Sequence, residues 1–262
     1  MGEYQKEFGF EKYEIEDYEE GRFERTASLH IGQKIKSALG CFLFSGTMAD
    51  EKTGITVAHG FNDVEEEVFV TPHSAANLAD EIIGKCREKI HWLQSCNTTA
   101  DMAVIELEPD FNVRKNTVPV PWLRREIRIK IYSGESIPDN KRVMILNQDG
   151  RYRFGAIRRY SFSDRLADEG YHNVLAVSSE DYLKEVAITR IGDSGALVMS
   201  IPEVNSDVVF VYGIVIALYN KEDKDTSLTI ANNLSDVVND DSFRQQLRET
   251  GDIDFTWKDL AL

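Results

Sequence analysis

The chain has 262 residues, and 45 acidic against 30 basic side chains give it a formal net charge of −15. That balance argues against general affinity for nucleic acid, whose phosphates call for cations. No apolar run approaches the roughly 20 residues of a bilayer-spanning helix, so no membrane role is expected. Hydrophobic content of 42% and charged content of 29% are those of an ordinary globular protein, long enough to bury a sizeable core as one globule or two subdomains.

Residues 1–28 carry Glu3, Glu7, Glu11, Glu14, Glu16, Asp17, Glu19 and Glu20. Acidity alone favours disorder. The interleaved Tyr4, Phe8, Phe10, Tyr13, Tyr18 and Phe23 instead predict an acidic, aromatic extension docked on the body or on a partner. The opening Met1-Gly2-Glu3-Tyr4 lacks the basic-then-apolar build of a secretory signal. Glu3, with no Ser or Thr at position 6, argues against myristoylation at Gly2.

Residues 40–44 read as a strand, residues 50–54 as a turn, and residues 55–58 as the next strand, which leaves His59 at a strand end. Residues 68–71 form another short strand. From Ser74, a candidate N-cap, Ala75, Leu78, Ala79, Ile82, Ile83 and Cys86 recur at helical spacing and predict a helix near 74–90. Asp101 opens an apolar strand through Leu107. The prolines of residues 117–122 suit a connection between subdomains. Residues 143–146, 148–150 and 154–157 read as strand, turn and strand. Residues 209–217 form a buried strand or tight strand pair, and residues 243–247 belong to a C-terminal helix capped by Asp241 or Ser242. Many short strands with few helices predict an all-β double barrel.

Cys41, Cys86 and Cys96 are too few, and odd in number, for a disulfide framework. They predict a reducing, cytoplasmic setting, each as a small buried apolar residue. Cys86, His91 and Cys96 have unusual spacing for zinc and supply only three ligands, so no metal and no other cofactor is expected. The clusters Arg151-Tyr152-Arg153 and Arg158-Arg159-Tyr160 read as solvated strand faces before they read as an RNA contact.

Chemistry concentrates in Gly192-Asp193-Ser194-Gly195-Ala196-Leu197-Val198. Glycines let the backbone come close to a substrate, and the N–H groups of Gly192 and Ser194 are candidates for an oxyanion pocket. A serine hydroxyl is a poor nucleophile at neutral pH and needs a base within hydrogen-bond reach. His59, in Thr56-Val57-Ala58-His59-Gly60, has the right kind of reference pKa. Asp101, in Asp101-Met102-Ala103-Val104-Ile105-Glu106-Leu107, would orient it. An α/β-hydrolase needs its histidine after the serine, but all five histidines precede Ser194.

In these three stretches the chain resembles the chymotrypsin-like serine peptidases, whose motifs run T-A-A-H-C, D-I-A-L-L-x-L and G-D-S-G-G-P in that order. Asp101 follows His59 by 42 residues and Ser194 follows Asp101 by 93, both sensible for that fold. The resemblance implies two antiparallel six-stranded barrels over about residues 31–235. His59 and Asp101 would come from the first barrel, Ser194 from the second, and the site would lie in the cleft between. The expected division is an extension at 1–28, barrels at 29–120 and 121–234, and a C-terminal helix and tail at 235–262.

The resemblance further implies a catalytic triad of His59, Asp101 and Ser194, with Gly192 and Ser194 as the oxyanion hole. Ile188 would lie at the base of the primary specificity pocket, with Ile216 and Leu218 on the substrate-facing strand. Those residues imply a small, apolar or partly blocked pocket rather than one selecting Lys or Arg. Gly60 stands where secreted members carry a bridging cysteine, so Cys41 lacks that partner. Asp193 is present without a convincing Ile-Val activation site near residue 31, so the chain resembles intracellular or bacterial-type members. The expected function is peptide-bond hydrolysis by a serine endopeptidase acting on a peptide or protein, with control by an oligomer or a regulatory partner. The alternatives are an inactive trypsin-like fold serving as a binding or scaffold module, favoured by Ile188, Ile216, Leu218 and Ala196, and a non-peptide esterase using the same site.

Overall fold

Valine, isoleucine and threonine recur in short runs broken by turn residues, a composition that suits pleated, half-buried backbone. The computed structural model describes residues 27–29, 35–36, 45–46, 53–70, 81–94, 97–109, 111–113, 117–132, 137–147, 151–164, 170–180, 186–220, 227–241 and 245. The strands among them are β1 Ala27–Leu29, β2 Ile35–Lys36, β3 Ser45–Gly46, β4 Thr53–Thr56, β5 Glu67–Val70, β6 Glu81–Leu93, β7 Thr98–Leu107 and β8 Phe111–Val113. They continue as β9 Thr117–Val120, β10 Arg125–Ile131, β11 Lys141–Leu146, β12 Tyr152–Asp164, β13 Tyr171–Ser178, β14 Leu197–Ser200, β15 Val208–Asn220 and β16 Ser227–Ala231. The helix α1, Leu234–Asn239, follows.

The first half is a six-stranded antiparallel sheet in the order β2-β5-β6-β7-β4-β3. In the second half β14-β11-β12-β13-β16-β15 closes on itself through the β14–β15 pairing, giving a six-stranded antiparallel barrel without a free edge. The hairpin of β9 and β10 joins this barrel from outside, with β10 parallel to the start of β15. A small parallel pair, β1 with β8, stands apart from both sheets. The expected mostly-β, double-barrel class is the observed one.

Strand periodicity distributes the core. Along β7, Ala103, Ile105 and Leu107 face a cluster with Ala58, Phe61, Val68, Ile83 and Cys86 inside the first sheet. On the other face, Ala100, Met102 and Val104 join an apolar layer with Met144, Leu197, Met199, Ile214 and Ile216 from the second half. β7 is therefore a wall between two cores, which is why it is buried along nearly its whole length. A third cluster, including Val143, Ile157, Leu175, Val198 and Tyr212, fills the second barrel.

The helix expected near 74–90 is corrected: residues 81–93 form β6, and residues 71–80 lie outside the described set. The buried residues Ile83, Cys86, Ile90 and Leu93 do recur at helix-like intervals. Register shifts near Ile83, Arg87 and His91 produce that spacing, because each irregularity resets the two-residue alternation. Two smaller differences have local causes. Thr53 and Gly54 already pair with Glu106 and Ile105, so the strand before His59 starts earlier than expected. Residues 117–120 are a strand rather than a plain connection, since Pro119 sits on the outer strand of its sheet, where a missing N–H is tolerated.

Helical structure near the C-terminal end begins at Leu234. Asp241 and Gln245 are helical, while Ser242, Phe243 and Leu247 lie outside the described residues, as do residues 1–26, 40–44 and 148–150, Cys41 and Cys96. Among the described residues no helix is long and apolar enough to cross a membrane.

Gly213 on β15 has backbone where a side chain would stand: a Cβ there would collide with the Asn232 carbonyl and come within 3.0 Å of Leu175 Cδ1. Gly213→Ala is expected to destabilise the protein by about 3 kcal/mol through forced backbone movement. Urea unfolding at unchanged m-value checks this.

Candidate active site

His59 is presented by a short 3-10 turn, Ala58–Gly60, that follows β4. The Phe61 N–H donates to the Ala58 carbonyl at 3.1 Å, and both Ala58 and Phe61 are buried. The turn is thus pinned on each side of His59, whose side chain stays 34% exposed. Asp101 lies where β7 is irregular: Ile90 pairs with Met102, but Trp92 pairs with Thr99. His91 therefore faces an extra residue, and Asp101 takes up the distortion with a left-handed φ of 45°. Such bulges re-aim side chains, and here the carboxylate is turned towards His59.

Both Asp101 oxygens meet that histidine. Oδ1 accepts the His59 backbone N–H at 2.9 Å, and Oδ2 lies 2.6 Å from the ring Nδ1. An ionised carboxylate only accepts, so Nδ1 carries the hydrogen and Nε2 is left as the basic nitrogen. His59 Nε2 stands 3.1 Å from Ser194 Oγ. The structure thus brings together the three residues expected from sequence, two from the first sheet and one from the loop entering β14.

The Ser194 turn is held by its own backbone. Asp193 N–H donates to the Arg190 carbonyl, and Arg190 N–H returns a bond to Asp193 Oδ2, both at 3.0 Å. Gly195 N–H reaches the Val215 carbonyl at 2.8 Å, and Ala196 N–H the Asp193 carbonyl at 3.0 Å. Gly192 and Gly195 have φ of 96° and 87°, conformations that glycine adopts without steric cost. Among the described residues, no acceptor is paired with the N–H of Gly192 or of Ser194.

The three pocket candidates are not gathered on one surface. Ile188 is buried in the second-barrel core, where a Cβ at Gly155 would lie 2.8 Å from its Cδ1. Its N–H and that of Thr189 both donate to Thr229 Oγ1 at 3.2 Å. Ile216 is buried in the layer between the halves, whereas Leu218 is exposed on β15. Of the basic clusters, Arg158 is tied to Ser178, Asn140 and Ser179, while Arg151 and Arg153 are exposed.

Sequence reading missed several polar residues around Asp101. The His172 N–H donates to Thr99 Oγ1 at 3.1 Å, and Asn173 Nδ2 to Thr98 Oγ1 at 2.8 Å. Asn232 Nδ2 donates to the Ala100 carbonyl at 2.7 Å. His91 Nδ1 is 3.8 Å from Asp101 Oδ1, a longer ion-pair approach from an exposed ring. The only sequence signal was polar residues set in apolar surroundings, above all Asn232 and Asn233 between Ala231 and Leu234.

No family model matches the sequence, and no curated protein does. Solved structures do match in three dimensions. The Nocardiopsis protease NAPase is similar at a TM-score of 0.54 and 14% identity, over 81% of this chain and 96% of that one. Thermobifida fusca Protease A is similar at 0.53 and 12% identity, over 84% and 96%. A glutamic acid specific serine protease, described as using a histidine triad in substrate binding, is similar at 0.52 and 11% identity, over 80% and 96%. The chain has the chymotrypsin-like fold. Within this chymotrypsin-like fold, the hydrogen-bonded chain from Asp101 through His59 to Ser194 spans the junction of the two halves.

The electrostatics follow from the same contacts. The hydrogen bond that His59 donates to Asp101 raises the His59 pKa above the ordinary 6.5; burial opposes this and the Asp101 charge adds to it. NMR titration of the His59 ring is expected to give a midpoint above 6.5 that moves down in Asp101→Asn. A midpoint unmoved by that substitution would contradict the assignment.

Proposed function

We propose that this chain is a serine endopeptidase that hydrolyses peptide bonds through an acyl-enzyme. The observation that carries the reading is the continuous chain of contacts from Asp101 Oδ2 to His59 and on to Ser194 Oγ, at 2.6 and 3.1 Å. The chymotrypsin-like fold supports it.

In this reading Ser194 Oγ attacks the substrate carbonyl carbon while its proton passes to His59 Nε2. The imidazolium that forms is stabilised by Asp101, which keeps its own negative charge. The carbonyl oxygen becomes an oxyanion received by the N–H groups of Gly192 and Ser194, where losing one such donor typically costs ~3–4 kcal/mol. His59 then gives its proton to the departing amine as the C–N bond breaks, leaving an ester on Ser194. Water attacks that ester with His59 again as base, releasing the acid and restoring the serine. His59 must be neutral at the start, so kcat/KM falls as pH drops through its raised pKa.

The reading assigns no metal and no cofactor, and a peptide or protein as substrate. Control by an oligomer or a protein partner, and a reducing cytoplasmic location, belong to the same proposal. Cys86 is assigned no chemical role: its thiol is buried and pushed up to about 11, chiefly by burial.

A fluorophosphonate probe is expected to label the wild-type protein and not Ser194→Ala, with peptide hydrolysis falling by about 10⁶-fold in that variant. Asp101→Asn is expected to lose about 10⁴-fold in kcat. A folded wild-type protein that neither takes the probe nor cleaves peptides would favour the binding-module reading. Ester turnover without peptide turnover would favour an esterase.

A further inference from the structure

We propose that Asn232 is a positioning residue that sets Asp101, and through it His59, by clamping the Ala100 carbonyl across the junction between the two halves. The proposal rests on the peptidase reading for its catalytic consequence, though not for its geometry.

Asn232 is fully buried, in a stretch of chain where Ile230, Ala231, Asn233 and Leu234 are fully buried as well. An amide in such a place is costly unless its polar atoms are paired, and here they are. Its backbone N–H donates to the Ile214 carbonyl at 2.9 Å, and its Oδ1 accepts the Ile214 N–H at 2.9 Å. Its own carbonyl lies against Gly213, where any side chain would collide. Two backbone contacts and the Oδ1 bond therefore fix the residue against β15, and the remaining side-chain bond, Nδ2 to the Ala100 carbonyl at 2.7 Å, reaches 132 residues back in sequence.

What it grips gives that bond its meaning. The Ala100 carbonyl and the Asp101 N–H belong to one rigid peptide plane. Fixing that oxygen fixes the plane about which Asp101 turns to its φ of 45°. A non-glycine residue holds a left-handed backbone only when its surroundings over-determine it. Thr98 and Thr99 are held by Asn173 and His172, but Asn232 holds the peptide of Asp101 itself. A purely packing role would be met by a leucine of similar size; the amide is needed because the bulge presents a carbonyl to the junction.

The test substitutes Asn232→Ala, which removes the clamp, and Asn232→Ser, which keeps a small polar group at β15 but falls short of Ala100. The His59 ring is titrated by NMR in each folded protein, and kcat and KM are measured separately. His91 is the other titratable group beside Asp101 and is left unchanged. Both variants are expected to move the His59 midpoint down towards the ordinary histidine value and to lower kcat about tenfold or more, with KM changed by less than about twofold. In an Asp101→Asn background the Asn232 substitutions are expected to leave the His59 midpoint where it is. If Asn232→Ala does not fold, Asn232→Ser carries the same readouts.

A folded variant with the wild-type His59 midpoint and wild-type kcat would overturn the proposal and leave Asn232 a structural residue. The two readings fail separately. A His59 midpoint that follows Asn232 in a protein without turnover would uphold the clamp and remove the peptidase. Normal turnover with a midpoint insensitive to Asn232 would do the reverse.

Discussion

The carboxylate of Asp101 is the group on which the site depends. It spends one oxygen on the backbone of His59 and the other on the ring, so the histidine is held in place and in tautomer by a single side chain. That double hold needs a carboxylate aimed across the strand direction, which regular pleating would not allow. The bulge in β7 supplies the aim, at the cost of a left-handed aspartate. Everything that stabilises the bulge therefore bears on the placement of His59, and everything that places His59 bears on its contact with Ser194.

Three polar contacts to the residues just ahead of Asp101 come from the second half of the molecule. His172 and Asn173 open β13, Asn232 follows β16, and each reaches a residue just ahead of Asp101. A site assembled from two halves has a positional problem, because the Ser194 loop belongs to one and His59 to the other. The apolar layer shared by both halves gives adhesion without direction. Hydrogen bonds to Thr98, Thr99 and the Ala100 carbonyl give direction. Grease and polarity thus divide the work at the same junction.

What could be read from the sequence was what is encoded locally. Gly192 and Gly195 around Ser194, the strand leading to His59, and the apolar run after Asp101 each announce their backbone through nearest neighbours. Their order then separated one fold from another. The misreading of residues 81–90 has a physical origin as well. Buried residues at 83, 86 and 90 imitate a helical stripe because irregular pairing shifts the alternation, and pairing partners far along the chain are invisible in a local window. For the same reason Asn232 could not be placed beside Asp101, since its decisive partner is 132 residues away. Ile188, Ile216 and Leu218 were located by offsets from motifs. On β15 the bulge between Val215 and Ala217 shifts the alternation that such an offset assumes for Ile216 and Leu218.

β7 has no solvent face along most of its length, with one side in the first-sheet core and the other in the shared layer. Two halves joined by a modest wet interface would be free to hinge and to melt one at a time. Here the unfolding of either half would strip one face of the same strand, so its loss is felt at once by the other. The molecule should respond to heat or denaturant as a single cooperative body, and Ser194 and His59 should keep a fixed separation where hinged halves would let it vary.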